Sequence, residues 1–329
     1  MAGATTTRAF WVEAAGRGAL RTQAVREPGP GEVLVRAEFS GISPGTERLV
    51  GLGRVPAASA AAMACQGMQG SFALPVSYGY ALAGVIEGGP LQGRRGFAMH
   101  PHHERAVIAS DRVVLLPDGV PSPRATLLPN LETALNATWD AELGGDEPVA
   151  VVGGGAVGLL VGFVLAATHR GPVTLVEADA ARRRRAVSLP WVPTVVAGDE
   201  LRRDHFPVVF HATGSAAGLQ LALDALGFEG SAIELSWYGD RKVTLDLGGR
   251  FHHHRQRIVA SQVGTIAARH RAAGPAARTA AVLALLADPR LDGLLEPPVP
   301  FEALPAFFAG LYRGDAVPPC PVVAYPGPR

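Results

Sequence analysis

The chain has 329 residues, which is enough for two domains with separate hydrophobic cores. It carries 30 basic and 29 acidic residues, so its net charge would not attract it to nucleic acid. No apolar stretch reaches the roughly 18 residues that a membrane-spanning helix needs, and residues 1–8 lack the apolar segment of a secretion signal. We therefore expect a cytoplasmic protein that binds neither nucleic acid nor a membrane.

The N-terminal segment predicts a β-rich opening. Apolar and β-branched runs at residues 8–13, 20–25 and 32–39 favour strands, and the proline- and glycine-rich residues 27–31 favour a turn. Residues 40–47 are small and mostly polar and follow the third strand directly, which predicts a loop. Loops placed in this way often line binding sites.

The histidines and cysteines do not predict a metal centre. Cys65 and Cys320 are distant in sequence, and neither has a second Cys or His at metal-ligand spacing. Histidines cluster at residues 100–103 and 252–254, but neighbouring side chains on a strand point to opposite faces. We interpret both clusters as polar loop or surface segments, and we expect no bound metal.

A glycine-rich turn lies at the centre of the chain. The apolar run 149–152 predicts a buried strand, and Gly153, Gly155 and Gly158 follow with the spacing G-x-G-x-x-G. This spacing allows a tight turn, a close approach of the backbone to a pyrophosphate, and close packing of the next helix on the strand. Glu177 ends the second predicted strand, where a carboxylate accepts hydrogen bonds from ribose hydroxyls. The turn therefore predicts a dinucleotide site.

Two later predicted strands, within residues 207–215 and 231–239, should end at the same edge of the sheet as the glycine turn. Small polar residues follow each of them. The predicted cofactor contacts are Gly153, Gly155, Ala156, Val157, Gly158, Glu177, Arg182, Thr213, Gly214, Ser236 and Trp237.

The choice between NAD and NADP depends on residues 177–185. A carboxylate at Glu177 would repel the extra phosphate of NADP and favours NAD. Arg182 and the three arginines after it could instead bind that phosphate, although a solvated first turn of the next helix explains them as well. We expect NAD, with NADP as the alternative.

These segments together resemble the medium-chain dehydrogenase/reductase superfamily. Residues 32–43, 76–87, 116–120 and 294–312 are similar, in the correct order, to its N-terminal strand with a Gly-Ile dipeptide, its Gly-His-Glu segment, its link to the cofactor domain and its returning segment. The resemblance implies an α/β fold with two domains. A GroES-like β-rich catalytic domain would comprise residues 1–128 and be completed by 265–329, and a Rossmann domain with a doubly wound parallel sheet would comprise 129–264.

The chain departs from the superfamily at the catalytic zinc. Where zinc-containing members have a ligating Cys, this chain has Ser43, and where they have the His and Glu of Gly-His-Glu it has Tyr80 and Ala81. The remaining ligand position falls near Pro129 or Asn130. Hydroxyl and amide groups do not replace thiolate and imidazole in a tetrahedral zinc site. The resemblance therefore implies the branch of the superfamily that lacks zinc.

Without zinc, hydrogen-bond donors must stabilise the charge that develops on the substrate oxygen. Tyr80 is the first catalytic candidate, because it stands at a lost ligand position and its phenol donates a hydrogen bond; a packed aromatic role explains it equally well. Weaker catalytic candidates are Ser43, Thr46, Asn130 and His252. Glu47 or Glu132 could orient a neighbouring group.

These observations predict a zinc-independent, NAD(P)-dependent oxidoreductase that interconverts an alcohol and a carbonyl group. Two alternatives remain open. One is an enoyl or quinone reductase that uses NADPH, and the other is a dinucleotide-binding protein without catalytic activity. The resemblance also implies a homodimer, in which residues 231–264 pair across a two-fold axis.

Overall fold

The computed structural model describes residues 6–192 and 194–327. The chain forms two compact units, Met1–Pro129 with Leu286–Arg329 and Asn130–Leu285. Residues 1–5, on which part of the expectation about a secretion signal rests, lie outside the described residues.

The first unit contains a small antiparallel sheet with the strand order β2-β1-β5-β4. Its strands are β1 (Thr6–Ala14), β2 (Arg17–Ala24), β4 (Gln69–Gly70) and β5 (Val76–Ser77). Successive side chains of β1 point to opposite faces of the sheet, and Phe10 and Val12 point into the core of this unit. The Phe10 ring stacks on Phe308 with 4.4 Å between the ring centroids.

A seven-stranded sheet completes the first unit, with the order β16-β17-β3-β6-β7-β9 and with β8 paired to β3. Its strands are β3 (Glu32–Gly41), β6 (Leu82–Glu87), β7 (Arg95–Ala98), β8 (Arg105–Ala109), β9 (Val114–Leu115), β16 (Val299–Pro300) and β17 (Val322–Ala324). Inward-facing Val33, Val35 and Ala37 of β3 pack with Leu82 and Ile86 of β6. This packing holds the carboxyl end of β3 in place beside the polar cluster described below.

Short helices cover the first unit: α1 (Pro44–Gly51), α2 (Ala60–Met63), α3 (Ser122–Ala125) and α10 (Leu304–Arg313). In α10, Leu304, Phe308 and Leu311 recur at helical spacing and are buried on one face. Gly314 ends this helix in the left-handed region at φ 95°.

The second unit is a six-stranded parallel sheet in the order β12-β11-β10-β13-β14-β15. The strands are β10 (Val149–Val152), β11 (Val173–Val176), β12 (Thr194–Val196), β13 (Phe206–His211), β14 (Leu226–Glu234) and β15 (Arg257–Ala260). The helices are α4 (Leu128–Asp140), α5 (Ala156–Thr168), α6 (Ala180–Val187), α7 (Ala216–Ala225), α8 (Arg250–His253) and α9 (Gly274–Leu286). This is the strand order of a Rossmann sheet, and its switch point lies between β10 and β13. The predicted α/β fold class, a β-rich domain plus a doubly wound parallel sheet, is confirmed.

Three local predictions differ from the structure. Residues 44–47 begin α1 instead of continuing a loop, because Pro44 suits the first helical position and the Glu47 carboxyl accepts the Ser43 N–H. The repeated Pro and Gly residues after 317 predict no regular structure, but this segment contains β17, since Val322 and Val323 pair with the end of β3. The chain returns to the first unit at Leu286 instead of 265, because Ala267 and Arg278 hydrogen-bond to Asn136 of α4.

Within the described residues, no helix is long and apolar enough to cross a membrane.

Candidate functional site

The glycine turn of the second unit has the geometry of a phosphate-binding turn. Gly153 has φ 119°, which a side chain would strain, and a Cβ on Gly158 would overlap the Gly153 carbonyl oxygen. Gly155 is the N-cap residue of α5, and no side chain of the described residues accepts a hydrogen bond from the first N–H groups of this helix. A Cβ on Gly155 would have no atom within 4 Å. The first N–H groups of α5 therefore face open space, where an anion binds.

Glu177 closes the turn from the side of β11. Its carboxyl accepts hydrogen bonds from the backbone N–H of Gly154 (2.9 Å) and of Asp179 (2.9 Å), and the residue is buried. The Arg183 guanidinium donates to the carbonyl oxygens of Glu177 (2.8 Å) and Ala178 (2.6 Å). Arg182 lies exposed in the first turn of α6, where its backbone N–H is capped by Asp179.

Thr213, Gly214, Ser236 and Trp237 lie at the carboxyl edge of the same sheet, after β13 and β14. The Thr213 methyl borders the glycine turn, since a Cβ on Gly153 would lie 3.1 Å from Thr213 Cγ2. The Gly214 N–H donates to Ser236 Oγ at 3.0 Å, which links the ends of the two strands. The structure therefore brings these predicted cofactor contacts together with the glycine turn.

A second polar group lies in the first unit, around Tyr80. The hydroxyls of Ser43 and Thr46, from the start of α1, lie near the Tyr80 hydroxyl and act on its pKa as hydrogen-bonding groups. Burial raises the pKa of Tyr80 to about 12, and these two hydroxyls oppose the rise. Tyr80 is thus a neutral phenol at physiological pH, and we call Tyr80, Ser43 and Thr46 the Tyr80 cluster.

A buried hydrogen-bonded chain supports this cluster from behind. Glu47 Oε1 accepts the Ser43 N–H at 2.7 Å, and Glu47 Oε2 contacts His102 Nε2 at 2.9 Å. His102 Nδ1 contacts Ser40 Oγ at 2.7 Å, and Ser40 Oγ contacts the Tyr325 hydroxyl at 2.9 Å. Ser40 and His102 are fully buried. This chain orients Ser43 and is closed to solvent at its centre.

Comparison with known proteins identifies the architecture. Acetophenone reductase from Geotrichum candidum, solved in complex with NAD, is 17% identical, with a TM-score of 0.77 and 97% of each chain covered. 2R,3R-butanediol dehydrogenase from Bacillus subtilis is 16% identical, with a TM-score of 0.75 and coverage of 98% of this chain and 100% of that one. A thermostable alcohol dehydrogenase from Pyrobaculum aerophilum is 21% identical, with a TM-score of 0.75 and coverage of 97% and 100%. The chain has the alcohol dehydrogenase fold.

Sequence comparison gives a shorter match. A probable diacetyl reductase [(R)-acetoin forming] 2 from Saccharomyces cerevisiae is 28% identical over 154 residues. The match covers 43% of this chain and 36% of that protein, so it spans about a third of the relative's length. No protein-family model matches the chain.

The three remaining predicted residues, Asn130, Glu132 and His252, lie on helices of the second unit. Asn130 lies in the first turn of α4. On the same helix, the Glu132 carboxyl accepts a hydrogen bond from Thr279 Oγ1 at 2.7 Å and forms an ion pair with Arg278 at 3.5 Å. His252 is exposed on α8, which precedes β15 and therefore lies at the amino edge of the Rossmann sheet. This edge is opposite the glycine turn, so the structure does not bring His252 to the cofactor edge.

The histidines at 100–103 lie in a loop, one of the two expected settings, but they are buried instead of lying at the surface. His103 Nε2 contacts Ser77 Oγ at 2.9 Å, and the rings of His100 and His103 meet edge to face. Burial lowers the pKa of His100 to about 4. Among the described residues, no group of three or more His, Cys, Asp or Glu side chains could hold a metal ion.

The sequence analysis did not identify the residues that support the Tyr80 cluster and those that support Thr213. His102 and Ser40 behind the Tyr80 cluster, and His211 and Glu234 behind Thr213, are polar residues on otherwise apolar strands or beside them. Their only sequence signal is that a polar side chain ends a buried strand. That signal shows that a partner is needed, but it does not show which residue is the partner.

Proposed function

We propose that the chain is a zinc-independent, NAD(P)-dependent oxidoreductase that interconverts an alcohol and a carbonyl group on a small metabolite. The observation that carries the proposal is the Tyr80 cluster, a neutral phenol beside the hydroxyls of Ser43 and Thr46, in which Tyr80 and Ser43 stand where the resemblance places zinc ligands. The alcohol dehydrogenase fold and the open glycine turn support the same function.

The residues at the matched ligand positions do not fit a catalytic zinc ion. Ser43 and Tyr80 offer only a hydroxyl and a phenol that keeps its proton, and Ala81 offers no donor atom. Thiolate, imidazole and carboxylate are the protein ligands of catalytic zinc. No step of the proposed reaction is therefore assigned to zinc.

The glycine turn, by contrast, fits a nicotinamide dinucleotide. The N–H groups at the start of α5 would hold the pyrophosphate, and the Glu177 carboxyl would accept hydrogen bonds from a ribose. Such a cofactor supplies hydride acceptor and donor chemistry. We propose NAD over NADP because the buried Glu177 carboxyl occupies the place where the extra phosphate of NADP would bind.

The role of Tyr80 follows from its protonation. A phenol with a pKa of about 12 keeps its proton at neutral pH and can donate it in a hydrogen bond to a carbonyl oxygen. The Ser43 and Thr46 hydroxyls stabilise negative charge on the Tyr80 oxygen, which assists the donation. In this way the cluster stabilises the oxygen charge that develops during hydride transfer.

The test combines cofactor titration with turnover. We expect wild-type protein to bind NADH more tightly than NADPH and to reduce members of a ketone panel that includes diacetyl and acetoin. Tyr80→Phe should lower kcat about 100-fold and leave the Kd for NADH unchanged, since Tyr80 lies outside the dinucleotide-binding unit. Unchanged kcat would remove the proposed role of Tyr80, and absence of turnover in wild-type protein would favour a dinucleotide-binding protein without catalysis.

An NADPH-dependent enoyl or quinone reductase is the second candidate. It is favoured by the arginines of α6, since Arg182 is exposed directly after the Glu177 segment. A preference for NADPH with an enone over NADH with a ketone would place this candidate first.

We also propose a homodimer formed through the edge of the Rossmann sheet. β15 is the edge strand, and its Ile258 side chain is exposed although it is apolar. Light scattering that shows a monomer at micromolar concentration would contradict this proposal.

A further inference from the structure

A hydrogen-bonded chain of polar side chains crosses the carboxyl edge of the Rossmann sheet. His211, the last residue of β13, contacts Glu234 Oε2 through Nδ1 at 2.8 Å and Thr213 Oγ1 through Nε2 at 2.6 Å. Thr213 Oγ1 contacts Ser215 Oγ at 2.8 Å. The order of the chain is therefore hydroxyl, hydroxyl, imidazole, carboxylate.

The partners of Glu234 determine where the protons lie. Its carboxyl also receives the Ser236 N–H at 2.7 Å and the Tyr238 hydroxyl at 3.0 Å, so it acts as an acceptor towards every neighbour. His211 must therefore carry its proton on Nδ1, which leaves a lone pair on Nε2. Thr213 then donates its proton to His211, and Ser215 donates to Thr213. Every proton of the chain points towards Glu234.

The outer end of the chain reaches the protein surface. His211 is fully buried, whereas Thr213 is exposed and Ser215 is half-buried. Ser215 Oγ donates to Thr213 and accepts the Gly218 N–H at 3.0 Å, which leaves one lone pair for a hydroxyl from outside. The Thr213 methyl lies against the glycine turn, so this end opens where the nicotinamide half of a dinucleotide binds.

Gly218 shows that the fold leaves space for this chain. A Cβ on Gly218 would overlap Thr213 Oγ1 and would lie 2.8 Å from His211 Nε2. The first turn of α7 can approach the end of β13 only because residue 218 has no side chain.

We propose that Ser215, Thr213 and His211 form a relay that takes up the proton released when a bound alcohol is oxidised. The inference rests on the proposed function. In the oxidative direction the alcohol carbon would lose a hydride to the bound oxidised nicotinamide dinucleotide as the C–O bond becomes C=O. The hydroxyl proton of the alcohol passes to Ser215 Oγ as the Ser215 proton passes to Thr213 Oγ1 and the Thr213 proton passes to His211 Nε2. Thr213 Oγ1 also accepts the Ser215 N–H at 3.1 Å, so the proton enters the chain at Ser215. The imidazolium is stabilised by the Glu234 carboxylate and releases its proton to solvent by the same route.

The charged and titratable groups around His211 favour this role. Glu234 contacts the ring, and Tyr238 shares that carboxyl. The hydrogen bond from His211 holds the pKa of Glu234 below its usual value, against the opposing effect of burial. Arg241 donates to the Gly214 carbonyl at 2.9 Å on the outer side and is exposed. A carboxylate thus lies next to the position where the imidazolium forms.

Thr213→Val tests the relay, because it removes the linking hydroxyl at an exposed position. We expect kcat for alcohol oxidation to fall about 100-fold and the acidic limb of the kcat pH profile to disappear. The Kd for NAD⁺ should stay within about twofold, because valine keeps the methyl group that borders the glycine turn. His211→Gln should have the same effect. Thr194→Val is the matched control, since Thr194 is exposed on the edge strand β12, and its pH profile should equal that of wild-type protein.

Two results would overturn the relay. One is an unchanged kcat and pH profile in Thr213→Val, and the other is a loss of NAD⁺ affinity as large as the loss of kcat, which would make Thr213 a cofactor contact only.

A measurement on the protein without cofactor separates this inference from the proposed function. Nitrogen-15 NMR of the imidazole should show His211 protonated on Nδ1, with an Nε2 signal that shifts in Thr213→Val. A proton on Nε2 would reverse the chain and overturn the relay whatever the activity. If wild-type protein oxidises no alcohol while the Nδ1 tautomer is found, the proposed function and with it the catalytic role of the relay fail, but the proton arrangement stands.

Discussion

The two units contain hydrogen-bonded chains of the same chemical order in very different surroundings. In the first unit Tyr325, Ser40, His102 and Glu47 follow one another, and in the second Ser215, Thr213, His211 and Glu234 do so. The imidazole is fully buried in both. The hydroxyl next to it is fully buried at Ser40 and exposed at Thr213.

This difference separates a supporting role from a reactive one. A chain whose central hydroxyl and imidazole are both fully buried holds its neighbours in place, and here it holds Ser43 next to Tyr80. A chain with one end at the surface can in addition exchange a proton with a bound molecule. The same residue types therefore predict a loss of stability in the first unit and a loss of turnover in the second.

The largest expected effect is that of Glu47→Ala. It removes the acceptor of two buried hydrogen bonds, from Ser43 and from His102, and should lower the free energy of unfolding by about 3 to 5 kcal/mol. Urea denaturation measures the change. Asp315→Ala, which breaks an exposed ion pair with Arg313 in the same unit, should cost less than about 1 kcal/mol. Equal losses in both variants would contradict the supporting role of the buried chain.

Acid should destabilise the first unit through its buried histidines. Burial lowers the pKa of His100 from 6.5 to about 4. Between these two pH values the histidine is protonated in the unfolded chain and neutral in the folded chain. The stabilisation is complete above pH 6.5 and is lost as the pH falls to about 4, on the order of 2 to 3 kcal/mol. Thermal unfolding followed from pH 7 to pH 4 measures it. His100→Phe should make the stability less dependent on pH. If the stability of this variant falls with pH as steeply as that of wild-type protein, groups other than His100 cause the loss.

The smallest expected effect is the difference in unfolding free energy between variants that remove the hydroxyl next to each imidazole, at Ser40 and at Thr213. Ser40→Ala leaves His102 Nδ1 and the Tyr325 hydroxyl without a partner inside the core and should cost about 1 to 3 kcal/mol. Thr213→Val also removes the partner of the buried His211 Nε2, but residue 213 is exposed and water lies close by, so the cost should be smaller, about 1 kcal/mol. Chemical denaturation of both variants gives the comparison directly. A larger loss in Thr213→Val would mean that the open chain is also structural.

The glycine turn could be predicted because its signal is local. The strand β10, the three glycines and Glu177 lie within one stretch of sequence, and each residue type has a mechanical reason for its position. The strand order of the second unit follows from the alternation of strands and helices. The resemblance to a superfamily located Ser43 and Tyr80, but the effect of the Ser43 hydroxyl on the pKa of Tyr80 came from the structure.

The polar chains could not be predicted, since their members come from distant parts of the sequence. Ser40, His102 and Tyr325 lie on separate segments of the first unit, and His211 and Glu234 end two different strands. Hydropathy shows that such residues interrupt apolar runs. It does not show the register that brings His211 beside Glu234 in the pairing of β13 with β14.

The amino-acid sequence by itself determined the class of fold and the place of the dinucleotide turn, because periodicity and glycine spacing act over a few residues. Only the tertiary structure decided which hydroxyls, imidazoles and carboxyls share protons, and which of these chains reaches solvent. Hydrogen bonds depend on distances within a few tenths of an ångström and on the direction of each donor, and packing between distant segments sets both.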